Sequence, residues 1–585
     1  MKVMLKFSDY VLDIPDIPHP NFIALLDDVQ KKRGQITATM YRSGKQREFS
    51  CWTYTELAEK SRRIARGLLA AGFVKGDRVV LWSENRPEWI AVWLGTVISG
   101  LTIVPVDYLV SEDECRNIIL LTRAKAFFFS SRKKDFAASL ASMENSPLTV
   151  CISPENSEDE NSGINAFDSF GKQAAEQVLP DADYIDENDP ACIIFTSGTT
   201  GFAKGVTLSH KALISNANAA IRQLRPRPSD IFIKVLPMHH TYPTTCSFLS
   251  PFAVGVPILI VEKIVGKVVI DDIRDAGGTF LIAVPLLYDK VMAALEHGYN
   301  KLPGIIRGPL NILRKIALAE AKKGRPEFGM RAFKFIRKKA GLASIRIMVS
   351  GGSALNPKTA DFFDSLGFNM VQGYGMSENA PLICVSTPQF RNNVSVGLPV
   401  IHTDIKILEP DAEGIGEIAV KSPSLMLGYF ENEAATKEVF TEDGYLLTGD
   451  LGYRDELGYL YICGRKKNLI VSSGGKNIYP EEIEERFNGS RIIGEVLALG
   501  RKEPSYGGEQ IVVVTVPNYE ALKEDYPGKE TDDAFIKELI KKEIAEVNRS
   551  LPGYKKISDS ILRTEPFEKN AQQKIRRFMY KSYES

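Results

Sequence analysis

"TSGTTGFAKG", Thr196 to Gly205, holds three glycines, three threonines, one serine and one lysine in ten residues. It follows the apolar run Ile193-Ile194-Phe195, the end of a stretch, "ACIIFT", that reads as a buried strand. A cluster of glycines and small hydroxyl residues between elements reads first as a surface loop. The second reading is an anion-binding loop. Glycines let successive backbone N–H groups turn toward a ligand, hydroxyls add donors, and Lys204 supplies charge. It is not a Walker A loop, because no Gly-Lys-Ser/Thr stands at the required spacing. The flanking sequence decides between the two readings.

Upstream, helix and strand patterns alternate. "TYTELAEKSRRIARGLLAAG" (53–72) has helical periodicity, with Thr55 as candidate N-cap and Gly72 as stop. "DRVVLWS" (77–83) predicts a strand, "RPEWIAVWLGTVISG" (86–100) a helix and "LTIVPVD" (101–107) a strand. "AKAFFFSS" and "LTVCIS" continue the rhythm up to the loop. Such alternation implies an α/β fold with parallel-rich sheets wrapped by helices. Downstream, "DIKILEP" and "GEIAVKS" (404–422) predict a hairpin or small barrel. From about residue 465 the pattern becomes that of a smaller α+β unit: "YPEEIEERFNG" (479–489), "EVLALGRK" (495–502), "QIVVVTVPN" (510–518) and "DDAFIKELIKKEIAEVNRSL" (532–551). The expected division is a large domain, 1–466, and a small mobile domain, 467–585.

A chain of 585 residues needs at least two cores. Lys plus Arg equals Asp plus Glu, 73 each, which argues against nucleic acid as the main partner. Seven scattered cysteines, none spaced as CxxC, fit a reducing compartment and offer no zinc framework. The first residues carry acids and prolines where a signal peptide needs an apolar core, and no run reaches the ~18 apolar residues of a membrane span. A cytoplasmic protein is expected.

Four more punctuated stretches follow in order. "VSGGSALNP" (349–357) is a strand ending in a Gly-Gly turn before a helix. "VQGYGMSENAP" (371–381) is a second strand-to-glycine turn, with an aromatic and an acid. "YLLTGD" (445–450) ends on Asp450, and "GRKKNLIVSSGGKNIYPEEIE" (464–484) combines charge, glycines and a helix start. Each alone is an ordinary turn. Together, across roughly 50–580, they resemble the adenylate-forming superfamily of acyl-CoA synthetases, peptide-synthetase adenylation domains and luciferases. One departure is Ala203, where that family usually has proline; its cost falls on loop stiffness.

The resemblance implies roles. Thr196, Ser197, Gly198, Thr199, Thr200, Gly201 and Lys204 would hold the β- and γ-phosphates of ATP. Glu378, with Thr196, would hold Mg²⁺, a hard cation that takes oxygen ligands. Tyr374 would stack on adenine within the stretch Gln372, Gly373, Tyr374, Gly375, Met376 and Ser377. Gly351, Gly352, Ser353 and Ala354 would form the opposite wall. Asp450 would accept from the ribose hydroxyls and Arg465 would contact ribose or phosphate. Lys467 sits where the family hinges, and the Ser473-Gly474-Gly475 loop would reach the pantetheine channel.

A carboxylate attacking an α-phosphate meets charge repulsion that a positioned lysine removes. The family carries this lysine in a Lys-Thr-x-x-Gly-Lys pattern. The tail here reads "PFEKNAQQKIRRFMY"; alignment on Lys-Ile assigns Lys574, with Asn570 in place of threonine, Gln573 in place of glycine, and Lys569 as competitor. "LPMHHTYPTT" (236–245) puts His240 at the family's channel histidine; the alternative is a core histidine. The remaining histidines are dispersed, and no metal cluster is evident.

"LIAVPLLYDKV" (281–291), the insert after it and "FEKNAQQKIRRF" resemble the long-chain fatty acyl-CoA synthetase branch. That implies a long-chain fatty acid and coenzyme A as substrates, with acyl carrier protein or another acid as alternatives. A silent acyl-nucleotide-binding scaffold is the non-enzyme alternative. Residues 301–346 hold thirteen Lys/Arg against two acids, 13 − 2 = +11 in a neutral chain. Read as one helix, 328–340 puts Phe328, Ala332, Phe333, Phe335, Ile336 and Ala340 on one side. Arg331, Lys334, Arg337 and Lys338 fall on the other. That is a candidate peripheral contact with the inner membrane surface; the alternative is a helix packed on the core with a solvated basic side.

Overall fold

The computed structural model describes the chain except residues 1–6, 8–13, 15, 44–47, 141–144, 154–163, 197–203, 473, 503–507, 570–574 and 585. Contacts gather it into one unit of Met1–Thr196, Ala203–Asp404 and Lys421–Leu446, and another that includes Ile405–Val420 and Leu447–Ser585.

The first unit is built on two sheets. In the nine-stranded sheet, Thr37–Tyr41, Ile258–Ile260, Phe232–Lys234, Phe280–Ala283, Ile347–Ser350 and Asn369–Gly375 run parallel in that spatial order. In the eight-stranded sheet, Pro190–Thr196, Thr102–Pro105, Arg78–Trp82, Ala126–Phe129 and Leu148–Cys151 are parallel neighbours. Ile258–Ile260, Phe280–Ala283 and Ala126–Phe129 are short, continuous and fully buried apolar runs, as parallel strands covered on both faces must be. The α/β expectation is met. The helix Pro87–Ile98 is buried along its whole length, with proline in its first turn and Trp89 and Trp93 in the core.

The helix expected over 53–72 spans Tyr54–Ala70 and is capped by Thr53, not Thr55. Thr53 ends a strand in extended conformation, its hydroxyl accepts from Glu56 N, and the Glu56 carboxylate accepts from Thr53 N. That reciprocal pair satisfies two orphan donors, which Thr55, already inside the helix, cannot do.

The expected helix over 328–340 is two short ones, Glu327–Ala332 and Lys334–Lys339, separated at Phe333. Arg337, assigned to the solvated side, is buried and donates to the carbonyls of Gly367 and Ile345. Phe335, assigned to the apolar side, is 78% exposed. Two buried carbonyls that need donors outweigh the regular wheel.

In the second unit the strands Asp404–Leu408, Gly416–Lys421, Leu446–Arg454 and Leu460–Arg465 form a four-stranded sheet in that order. The C-terminal part pairs Ile493–Lys502 antiparallel to Glu509–Pro517, which pairs parallel to Ile557–Leu562. The helices Pro480–Glu485 and Asp533–Ser550 contribute Ile483, Ile536, Ile540 and Ile544 to its core.

Candidate active site

Thr196 closes the strand Pro190–Thr196 and Lys204 opens its antiparallel partner, Lys204–Ser209; the two residues are paired across the ladder. Residues 197–203, and with them Ser197, Gly198, Thr199, Thr200, Gly201 and Ala203, lie outside the described residues. The loop's two ends are thereby pinned together, and the Thr196 hydroxyl lies 3.4 Å from the Lys204 carbonyl.

A third strand, Gly428–Tyr429, pairs with Lys204–Ser209 through Gly428↔Thr207 and Tyr429↔Val206. It brings Tyr429 to the base of the loop. The Lys204 ammonium sits 4.7 Å from the Tyr429 ring centroid. The Tyr429 hydroxyl donates to Glu378 Oε1 at 2.8 Å. Burial and the Glu378 charge push the Tyr429 phenol well above its usual range, so it stays a donor. The Met426 N–H donates to the Glu378 carbonyl at 2.8 Å, tying the backbone of the same segment to the acid. Nothing local in "LGYFEN" marks Tyr429; only the strand pairing reveals it.

The turn carrying Glu378 is held from below. Asn216 Nδ2 donates to the carbonyls of Asn379 and Leu382, and Thr245 Oγ1 to that of Ala380. At Gly375 an added Cβ would lie 2.1 Å from the Pro381 carbonyl oxygen, so no side chain fits. Tyr374 and Gly375 lie at a register shift in the pairing with Leu382–Val385. Gln372 is turned inward, its amide donating to the Ser395 carbonyl at 2.6 Å. Met376 packs against the core, and Ser377 Oγ is 3.1 Å from Thr241 Oγ1 in the histidine stretch.

Gly351 follows the strand Ile347–Ser350; a Cβ there would meet the Tyr242 ring at 2.8 Å. Tyr242 donates to the Val349 carbonyl at 3.2 Å. Gly352, Ser353 and Ala354 are exposed beyond it. His240 begins the short helix Thr241–Thr244 and is half-buried; its Nε2 lies 3.0 Å from Nε2 of His239, which is 3.4 Å from Asp107 Oδ2. Burial, then His239, lowers the affinity of His240 for protons. Asp107, far away in sequence, joins the histidine pair, a grouping that sequence spacing does not reveal. Lys234, at the end of its strand, is fully buried, and its ammonium nitrogen has no hydrogen-bond partner among the described residues.

In the second unit Asp450 is buried and paired across its sheet with Arg465, whose Nε donates to Asp450 Oδ1 at 2.7 Å. Arg465 Nη1 also donates to the Thr448 carbonyl at 3.3 Å. Lys467 lies in the turn Lys466–Asn468, its ammonium disfavoured by burial and by Arg465. Gly475 has φ of +70° and closes a turn onto the Ser472 carbonyl at 2.9 Å; Gly474 precedes it, and Ser473 is outside the described residues. Lys574, with Asn570 and Gln573, is likewise outside them, whereas Lys569 forms a 2.6 Å ion pair with Glu495.

Residues 26–430 match the model of the AMP-binding enzyme family, and residues 467–585 that of the AMP-binding enzyme C-terminal domain. The chain is 27% identical to the peroxisomal long chain acyl-CoA synthetase 7 of Arabidopsis thaliana, over 97% of this chain and 84% of that protein. It is 24% identical to the chloroplastic long-chain-fatty-acid–[acyl-carrier-protein] ligase AEE15 of Arabidopsis thaliana, over 84% of this chain and 75% of that one. The fold is shared with the anthranilate CoA ligase AuaEII, solved with anthranoyl-AMP, at a TM-score of 0.76, 20% identity and 98% coverage of both chains.

Proposed function

Because this chain belongs to the AMP-binding enzyme family, we propose that it is an ATP-dependent acid–thiol ligase. It joins a long-chain fatty acid to AMP and then passes the acyl group to the thiol of coenzyme A. The observation that carries this reading is the Lys204–Tyr429–Glu378 assembly at the base of the glycine-rich loop. The acyl class is supported by the relatives' similarity over most of the chain.

In the first half-reaction a carboxylate oxygen forms a bond to the α-phosphorus as the bond to pyrophosphate breaks. Lys204 and the loop amides would hold the leaving phosphates. Glu378 fits a cation ligand: Tyr429 occupies Oε1, and Oε2 accepts no hydrogen bond among the described residues. With Thr196 it would hold Mg²⁺, which when bound screens charge on the leaving group. Tyr374 would stack on adenine beside Gly351–Ala354. Asp450, oriented by Arg465, would accept from the ribose hydroxyls. Lys574 would screen the two anions from each other; that Lys569 is engaged by Glu495 supports the alignment.

In the second half-reaction the thiol sulfur attacks the acyl carbon and AMP leaves. Residues 467–585, the small mobile domain, turn about Lys467 to withdraw Lys574 and bring the Gly474-Gly475 loop to the pantetheine, with His240 lining the channel.

No helix among the described residues is long and apolar enough to cross a membrane. Surface contact with a bilayer belongs to the helix Gly304–Lys322. Its Ile305, Ile312 and Ile316 are exposed on the side away from the buried Ala317 and Ala321, with Lys315, Lys322 and Lys323 nearby.

The test is carboxylate-dependent exchange of labelled pyrophosphate into ATP over a panel of acids, followed by thioester formation with coenzyme A or acyl carrier protein. Long-chain acids should support exchange best and coenzyme A should accept the acyl group. No exchange with any acid would refute the ligase; transfer to carrier protein alone would reassign the acceptor.

A further inference from the structure

We propose that Asp107, His239 and His240 form a binding site for a divalent transition ion of the zinc type. Each offers one ligand atom, and the three atoms all lie within 4.8 Å of one another. The separations are 3.0 Å between the two Nε2 atoms and 3.4 Å from His239 Nε2 to Asp107 Oδ2. Metal–ligand bonds of 2.0–2.2 Å in a tetrahedron place neighbouring ligand atoms about 3.4 Å apart, and these two separations are within a few tenths of an ångström of that. Two imidazoles and a carboxylate suit zinc and its neighbours rather than Mg²⁺ or Ca²⁺, and three protein ligands leave one position open.

The Asp107 carboxylate and the backbone that carries the histidines are held from outside the cluster. Asp107 Oδ1 accepts from Leu109 N at 2.9 Å, which leaves Oδ2 turned to His239. The Asp107 carbonyl accepts from the Trp82 indole at 2.8 Å. On the histidine side, Asn85 clamps the approach: its Nδ2 donates to the Leu236 carbonyl and its Oδ1 accepts from Met238 N, each at 2.9 Å. Thr244 N donates to the His240 carbonyl at 3.0 Å. His239 is buried, whereas His240 and Asp107 are half-buried, so an ion would enter past those two ligands. The trio adjoins the turn that carries Glu378, through the 3.1 Å contact of Thr241 Oγ1 with Ser377 Oγ, but it shares no ligand with Glu378 and does not rest on the catalytic reading. It makes one prediction for that reading: an ion on His240 should slow thioester formation.

The full-length protein, stripped with a chelator, is titrated with Co²⁺ and read by its visible d–d absorption, then displaced with Zn²⁺. One equivalent should bind, and Zn²⁺ should raise the melting temperature. Asp107→Asn and His239→Gln should each weaken binding about tenfold or more, while Glu378→Gln leaves it unchanged. X-ray absorption of Zn²⁺-loaded wild type, which needs no variant to fold, should report two imidazoles plus oxygen. Absence of a saturable Co²⁺ band in wild type overturns the proposal and leaves the trio a hydrogen-bonded relay. So does a band that survives in the folded Asp107→Asn/His239→Gln double variant.

Discussion

Tyr429→Phe removes one atom from the candidate site and leaves the rest in place. Phenylalanine keeps the ring that lies 4.7 Å from Lys204 and keeps the strand pairing with Val206. What is lost is the 2.8 Å hydrogen bond to Glu378 Oε1. A hydrogen bond to a charged acceptor contributes about 1.5–3 kcal/mol, which corresponds to roughly 10- to 150-fold in an equilibrium constant. Glu378 is anchored by that bond on one oxygen, so the loss should fall on its hold over Mg²⁺. Pyrophosphate exchange measured against Mg²⁺ concentration should show the half-saturating concentration rising by about tenfold or more, with activity recovering at high Mg²⁺. Circular dichroism and a thermal melt should show little change. A Mg²⁺ curve identical to wild type would refute the claim that Tyr429 positions Glu378. Lost activity that Mg²⁺ cannot restore would refute it as well.

Lys574→Ala should lower acyl-adenylate formation by about 10²-fold or more while supplied acyl-adenylate is still converted to thioester; Lys569→Ala giving that phenotype instead would overturn the tail alignment. Lys467→Pro fixes φ at the hinge and should spare adenylation while slowing thioester formation, so normal rates for both steps would remove the hinge. Burial holds the Lys234 amine well below its usual range, so between that lowered native value and about pH 10 the unfolded chain binds one proton more than the native chain. Stability should therefore rise with pH through that window, and Lys234→Met should reduce the slope by this one-proton contribution and add about 1–3 kcal/mol in urea melts; an unchanged slope would mean the amine is solvated. Ile312→Gln/Ile316→Gln should reduce sedimentation with anionic vesicles at low salt, and equal sedimentation of variant and wild type would clear this helix of membrane contact.

The amino-acid sequence by itself determined the features whose partners lie a few residues away. The alternation of apolar strands and amphipathic helices implied the α/β class. Glycine at 72, with φ of +84°, ended the first long helix where the sequence reading expected. Strand-to-glycine turns singled out the stretches around Thr196, Gly351 and Glu378, because a turn's requirements are local. Tertiary structure decided what depends on distant partners. Tyr429 reaches Glu378, 51 positions away, only because Gly428–Tyr429 adds to the edge of Lys204–Ser209. Asp107 meets His239 and His240 only because the two sheets set those loops side by side. At Arg337 the helical wheel failed for the same reason: the carbonyls of Gly367 and Ile345 are buried and need a donor. A periodicity argument counts apolar side chains; it cannot see which backbone groups elsewhere will be left without a partner.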